Sequence, residues 1–465
     1  MLDYQSVGQQ EINEQESIAA NLQPEPAIAL LHCYDLIEDF LDTIGVSLET
    51  FCNEFTGSWM FGYINALQSV GVKTVLFCIS ARVTETSRFT HAPTGATICI
   101  LPASKIYRAY RNVRSMRRQT LKLEGEFSDA PSDQDNRPSL LTPLKSAVTS
   151  LGTYLSTPLG LLARELRREG CEAILCQEYG YARFDSCVLL GQLMHLPVYA
   201  TFQGGGYGAR SFIEYPLRLL ALRACKGLII ATQTEFQRVR AQYEVPTAKL
   251  ARIFNPMDLV TWRATNREEA RTALGIPLDA RVVVWHGRVD IFIKGLDILL
   301  EAWNQICSAR PGKDLRLLLV GTGKDADKLR QHIATMQLRG VIWLDEFVHD
   351  RSIIRRYLSA ADVYTLSSRN EGFPTAPIEA MACGLPVVAA DANGVPDILE
   401  GGEASGGLVV PREDAKALAL ALGRVLDDED WGHELGKRAR CRAENYFSSE
   451  AVGKQLRNFL LRQKV

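Results

Sequence analysis

Four charged residues stand where chemistry could be done. Glu371 and Glu379 lie eight positions apart in NEGFPTAPIEAMACGLPVVAADANGVPDIL (370–399), with no acid between them. Arg288 and Lys294 lie in VVVWHGRVDIFIKGLDILLEAW (282–303). An Arg and a Lys at the carboxyl end of a strand make a natural diphosphate clamp, Arg as a planar fork and Lys as a point charge. Paired carboxylates also serve glycoside hydrolysis, as acid and nucleophile. Hydrolysis has no need of a cationic clamp beside them. Each glutamate taken alone has a plainer reading: a solvated loop residue for Glu371, and for Glu379 a first-turn acid favoured by the helix dipole.

The elements that position these residues are legible. DVYTLSS (362–368) reads as a strand and RNEGFPT leaves it as a loop. Pro377 suits the first turn of a helix, where its missing N–H would be unpaired anyway. Gly384 ends that helix and Pro386 forbids its continuation. Glu371 therefore falls on a loop beyond the carboxyl end of a strand, and Glu379 in the first turn of the next helix or just past it. Open α/β sheets bind ligands in that crevice, and helix N-termini there favour anions. VVVWH is a buried strand, with Arg288 and Lys294 in the turn that follows. His286 beside them reads as a strand-end packing residue in preference to a catalytic base. LLLVGTGKD (317–325) supplies a third strand-to-glycine turn. There Gly321, Thr322 and Gly323 let backbone approach a ligand closely.

The wider chain fits two α/β domains. It has 465 residues, and length alone suggests two to three domains. Short apolar runs without polar alternation (AIALLHC, KTVLFCI, ATICIL, EAILCQ, LPVYATF, GLIIA, ARIFN) read as parallel strands buried on both faces. The pattern restarts with RVVVWH, LRLLLV, GVIWL, DVYTLS, PVVAA and GLVV. The expected organisation is a disordered acidic tail over 1–26 and a Rossmann-like domain over 27–257, with a polar insertion at 124–141. A linker over 258–280, a second Rossmann-like domain over 281–447 and a terminal segment over 448–465 complete it.

Composition excludes several classes. A net charge of -2 gives no reason to expect nucleic acid. Eleven cysteines are scattered singly with no C-x-x-C pair, which fits buried thiols in a cytoplasmic protein. The D-x-D triplets at 133–135, 325–327 and 428–430 sit in polar stretches, so no metal is expected. No G-x-G-x-x-G follows the first strand of either domain, which disfavours a nicotinamide enzyme.

These motifs, in this order and spacing, resemble the family-4 retaining glycosyltransferases of GT-B fold. The motifs are NPMD (255–258), HGR…KG (286–295), VGTG (320–323), and the two glutamates followed by AMACGLPVVA. The resemblance is strongest over 250–447 and looser over 50–235, where FTGSWMFGYINALQSVGVKTV looks like the family's glycine loop and helix. It implies transfer of a hexose-type sugar from a nucleoside-diphosphate sugar, which is a co-substrate, so that no cofactor is needed. The acceptor would be a glycan, lipid or small molecule. It implies that Arg288 and Lys294 bind the diphosphate and that Glu371 faces the donor sugar. It implies that the backbone of Gly372, Phe373, Pro374 and Thr375 caps the phosphates and that Glu379 binds the ribose. Gly57 would line the cleft from the other domain. Family members usually send the last helix back onto the first domain, which assigns that course to 448–465. Many members carry His in the loop after ATF; here Gln203 and Gly204 stand there. A catalytically inactive sugar-nucleotide-binding module would share most of these motifs.

One basic stretch is left over. KIYRAYRNVRSMRRQTLK (105–122) holds seven Lys/Arg and no acid, whereas residues 1–72 hold eleven acids and no Lys or Arg. Arg108, Arg111, Arg114 and Arg117 recur every three residues, neighbours along one side of a helix. Such a strip either offsets the acidic N-terminal stretch or meets something anionic: a lipid-linked acceptor, or the inner face of a membrane contacted peripherally.

Overall fold

The computed structural model describes residues 25–56, 58–111, 152–204, 214–348 and 350–461. Most of the 1–26 tail, the 124–141 insertion, Gly57, Arg114 and Arg117 lie outside the described residues. Two sheets form. The first contains β1 (Ala27–Asp35), β2 (Lys73–Ser80), β3 (Ser87–Thr90), β4 (Thr97–Pro102), β5 (Cys171–Cys176), β6 (Val198–Phe202), β7 (Gly227–Ile230) and β8 (Leu250–Ala251). Its order is β3-β4-β2-β1-β5-β6-β7-β8. All neighbours pair in parallel except β3, which runs antiparallel to β4. The second contains β9 (Arg281–His286), β10 (Leu315–Val320), β11 (Val341–Leu344), β12 (Val363–Leu366), β13 (Val387–Ala390) and β14 (Gly407–Val410). It is wholly parallel, in the order β11-β10-β9-β12-β13-β14. The apolar runs give these strands because helices cover both faces, so no solvent side asks for polar alternation.

β3 does not follow from the apolar-run reading. SRFT carries little apolar signal, and it pairs at the sheet edge, where half-exposed residues are tolerated.

The two halves are tied at three places. The Ser449–Leu460 helix buries Val452, Leu456, Phe459 and Leu460 in the core of the first domain, beside Ile28, Phe61 and Ile64. Gly453 makes this approach possible: a Cβ there would lie 2.0 Å from the Ala66 carbonyl oxygen. At the crossing, the Met257 N–H donates to the Phe447 carbonyl at 2.6 Å. Beyond it, Asp397 accepts from the Gln233 N–H at 2.8 Å and from Arg252 at 2.9 Å. The crevice between the sheets therefore lies where the carboxyl ends of both sets of strands face each other.

Candidate functional site

The second domain's wall begins with β9. Its residues alternate: Val282 and Val284 join the core that holds Ile378 and Met381, while Val283 and Trp285 face Leu299 and Trp303. His286 falls on the first of these faces. The turn after it is set by Asp290, which is buried, accepts from the Ile293 N–H at 3.0 Å and pairs with Lys324 at 2.9 Å. The bond from Lys324 holds the Asp290 carboxyl below its usual range. One helical turn, Ile291–Lys294, then ends at Gly295, whose φ is 60°. A Cβ at Gly295 would lie 2.0 Å from the Ser367 carbonyl, so the loops after β9 and β12 meet at a point that only glycine fits.

That contact brings Lys294 to Glu371. Lys294 Nζ lies 2.7 Å from Glu371 Oε1, which also accepts from Ser368 Oγ at 2.6 Å. Glu379 stands in the first turn of the Ala376–Ala382 helix, and its Oε2 lies 2.7 Å from His286 Nε2. The His286 ring meets Tyr364 edge-on at 5.4 Å. Burial, and then the two nearby glutamates, push the Tyr364 phenol well up, so it stays neutral. These groups border a cavity of about 350 Å³ lined by His286, Lys294, Glu371, Phe373, Pro374, Thr375 and Glu379. A second cavity, of about 570 Å³, opens beyond Glu379 between the domains, toward Trp59, Asn255, Trp262 and Arg351.

Other expected residues stand elsewhere. Arg288 is exposed in the turn after β9, outside the residues that line either cavity, and makes no ion pair among the described residues. Gly321 and Gly323 do permit a close approach, but to protein. A Cβ on Gly321 would lie 2.0 Å from the Gly287 carbonyl, and one on Gly323 2.2 Å from that of Val289. Thr322 accepts from the Val289 N–H at 2.9 Å. The three residues hold the β9 turn in place. Gly372 faces the opposite wall: its Cβ would lie 3.0 Å from the Gly204 Cα.

On that opposite wall Gln203 is tied down. Its amide and that of Asn255 bond reciprocally at 3.1 and 2.9 Å, and its backbone N–H donates to the buried Glu178 at 2.9 Å. Gln203 and Gly204 border a small cavity of about 210 Å³ with Tyr34, Glu178 and Tyr181. Of the two readings of the basic strip, Arg111 follows the first: its guanidinium offsets the acidic N-terminal stretch, bonding Asp35 at 2.9 Å and Asp39 at 2.6 Å, and is not held free for an anionic partner. Asp35 is buried and also pairs with Arg183, and such a carboxylate holds its cations inward. Arg108 is half-buried on the same helix.

Sequence reasoning missed the His286–Glu379 bond, the Asp290 cap, Ser368 and Glu178. The first had a signal. Period-two alternation along β9 puts His286 on the face where the Glu379 helix packs.

Two parallel α/β domains facing each other across a crevice at their strands' carboxyl ends define the GT-B class. Within that fold, residues 280–428 match the family model described as glycosyl transferases group 1. Curated relatives include a D-inositol 3-phosphate glycosyltransferase of Saccharomonospora viridis, 31% identical over 226 residues, 47% of this chain and 52% of that protein. The corresponding protein of Corynebacterium urealyticum is 33% identical over 241 residues, 49% and 55% of the two chains. The chain thus spans about half the length of the curated relatives it matches. The fold extends over nearly all of it. An Anabaena protein, HepE, in complex with UDP superposes with a TM-score of 0.64 at 16% identity, covering 94% of this chain and 100% of that one. Sucrose-phosphate synthase of Thermosynechococcus elongatus gives 0.60 at 21% identity, covering 94% and 98%. Among the described residues no helix is long and apolar enough to cross a membrane.

Proposed function

We propose that the protein is a glycosyltransferase that moves a hexose-type sugar from a nucleoside-diphosphate sugar to an acceptor, with retention at the anomeric carbon. The observation that carries this reading is the cavity in which Lys294, Glu371 and Glu379 converge beyond β9 and β12. Departure of the nucleoside diphosphate builds negative charge on phosphate and positive charge on the anomeric carbon. Lys294 meets the first from within the cavity and Arg288 from its rim. Preorganised donors of this kind are each worth ~2.7–4 kcal/mol when removed. Once a diphosphate takes Lys294, the Glu371 carboxylate is released toward the sugar hydroxyls. Glu379 accepts from the ribose. Attack from the face of the leaving phosphate needs no protein nucleophile, and none is assigned; nor is a metal, because the two cations supply the counter-charge.

The acceptor, a glycan, a lipid or a small molecule, would enter against the first domain, at the Tyr34–Glu178–Tyr181 cavity. With Arg111 engaged internally, contact with an anionic membrane would rest on the rest of the 105–122 stretch.

The test is a thermal-shift panel of UDP-, GDP- and ADP-sugars, followed by donor turnover with and without EDTA. A ligand at 100 times its Kd stabilises by about 2.7 kcal/mol. UDP-glucose comes first, because the Anabaena protein of the same fold holds it. A shift with one nucleotide sugar and chelator-insensitive turnover support the reading. A shift without turnover leaves an inactive binding module, and no shift with any of them sinks it.

A further inference from the structure

We infer that His286 is a positioning residue for the crevice: it holds one oxygen of Glu379 so that the other is presented to the ligand. The inference rests on the reading of Glu379 as the ribose-binding carboxylate, and it names the group that makes that carboxylate selective.

Glu379 is the charged side chain that lines both cavities, the one toward Lys294 and the one toward Trp262 and Arg351. A carboxylate at such a junction can turn either way unless something fixes it. Oε2 is fixed, at 2.7 Å from His286 Nε2, whereas Oε1 makes no hydrogen bond among the described residues. His286 itself has no room to follow a moving partner. It is 7% exposed, ends β9, and is braced edge-on by Tyr364 from the neighbouring strand.

The direction of the bond follows from the inventory of donors. An ionised carboxylate only accepts, so the hydrogen is on Nε2. In the neutral ring, Nδ1 is then a bare acceptor. It is buried and has no partner among the described residues. The ring's one hydrogen bond to the protein among the described residues is therefore the one to Glu379. A charged-group hydrogen bond of this length is stronger than a neutral one and resists rotation of the carboxylate. Ligand hydroxyls therefore meet a single oxygen in a set direction, which favours a sugar carrying a 2′-hydroxyl over one lacking it.

The test uses the full chain and calorimetric titration with UDP and with 2′-deoxy-UDP, or with the GDP or ADP pair if that base gives the thermal shift. The proteins are native, His286→Leu, His286→Gln and Glu379→Gln, with melting curves to establish folding. The native protein should prefer the ribonucleotide by about tenfold, ~1.4 kcal/mol. His286→Leu, which has no donor, should lose most of that preference. His286→Gln, whose amide can still donate, should keep it within about threefold. A role in packing alone would move the melting temperature without moving the ratio. If the Leu variant does not fold, His286→Asn, whose amide is too short to reach, takes its place. An unchanged ratio in the variants without a donor, with the ratio lost in Glu379→Gln, overturns the role of His286 and leaves Glu379's intact. A ratio kept in Glu379→Gln, or no nucleotide bound by the native protein, removes both.

Discussion

Lys294 and Glu371 lie 2.7 Å apart across 77 positions of sequence, yet each sits inside its own contiguous motif. On the opposite wall, Gln203 reaches Asn255 across 52 positions and Arg183 reaches Asp35 across 148; Asn255 opens the NPMD motif and Gln203 follows ATF, but neither stretch announces that the two amides meet, and Arg183 and Asp35 sit in no motif at all. The second domain's wall is made of turns that leave strands and carry their chemistry with them. The first domain's wall is made of side chains that meet only after the sheet has assembled. Turns of the first kind are limited by glycine, proline and capping geometry, so their residues stay together in the sequence. Contacts of the second kind depend on which strands become neighbours, and they can vary while the sheet is preserved.

The contrast is broken most easily at the cations. Arg288→Ala removes an exposed side chain and should leave the fold intact while cutting turnover ~10²–10³-fold. Lys294→Ala should cost as much in turnover and also lower stability, since it leaves the Glu371 carboxylate, 10% exposed, with one partner fewer. Steady-state rates and melting curves of the two variants separate these effects. A folded Arg288→Ala variant of near-normal rate would show that the rim cation has no part.

The first domain should respond to acid instead. Burial lowers the His32 imidazole from its ordinary 6.5 to about 4. The unfolded chain therefore takes up this proton first. Stability owed to the neutral ring is complete above pH ~6.5 and is lost as pH falls toward 4. The loss is on the order of 3 kcal/mol at ~1.4 per pH unit. Urea unfolding at pH 7 and pH 4.5 should show it in the native protein, and His32→Asn should flatten the difference. Equal slopes for the two proteins would remove His32 from the account.

The glycines of the second wall come next. Gly321 has φ 128° and no space for a Cβ, whereas Gly384 has φ 76° and open space around it. Gly321→Ala should cost roughly 1–3 kcal/mol beyond Gly384→Ala, because the Gly287 carbonyl must move as well as the dihedral. The loss should carry into nucleotide affinity, since that carbonyl belongs to the turn leading to Lys294. Differential unfolding of the two variants measures it, and equal costs would mean that the loops have slack.

Much of this was legible before the chain was folded. The six strands of the second sheet, the loop carrying Glu371 and the first-turn place of Glu379 follow from apolar runs bounded by Gly and Pro. What the glycines of VGTG are for did not follow: glycine signals a close approach, but not whether ligand or protein makes it. Arg111 stayed open between two readings for a related reason. Helical spacing gives the side of the helix, and only the buried Asp35 beside it decides whether that side faces water. Edge strand β3 and the Glu178 bond to Gln203 depend on neighbours distant in sequence, for which no local pattern exists.

The smallest expected effect tests the first wall directly. Gln203 stands in the loop after ATF, where the resemblance implies His, and its amide is paired face to face with Asn255 of NPMD. Two reciprocal bonds at 3.1 and 2.9 Å leave neither amide free to swing into the crevice, and Tyr63 adds a weaker contact to Asn255 at 3.3 Å. Gln203 precedes Gly204, which abuts Gly372, and Asn255 lies two residues before Met257, which bonds the start of the returning segment. The pair thus joins the loop that touches the second domain to the segment that crosses between the domains. Removing one amide strands the other, so each single change to Ala should cost more than half of the double change. A double-mutant cycle by urea unfolding should give a coupling of about 1 kcal/mol, the net worth of a polar pair in this setting. Turnover should fall only a few-fold if the pair holds a loop, and far more if Gln203 touches the donor sugar. Zero coupling with a large loss of turnover at Gln203 alone would place that side chain in the chemistry and make the first wall an active one.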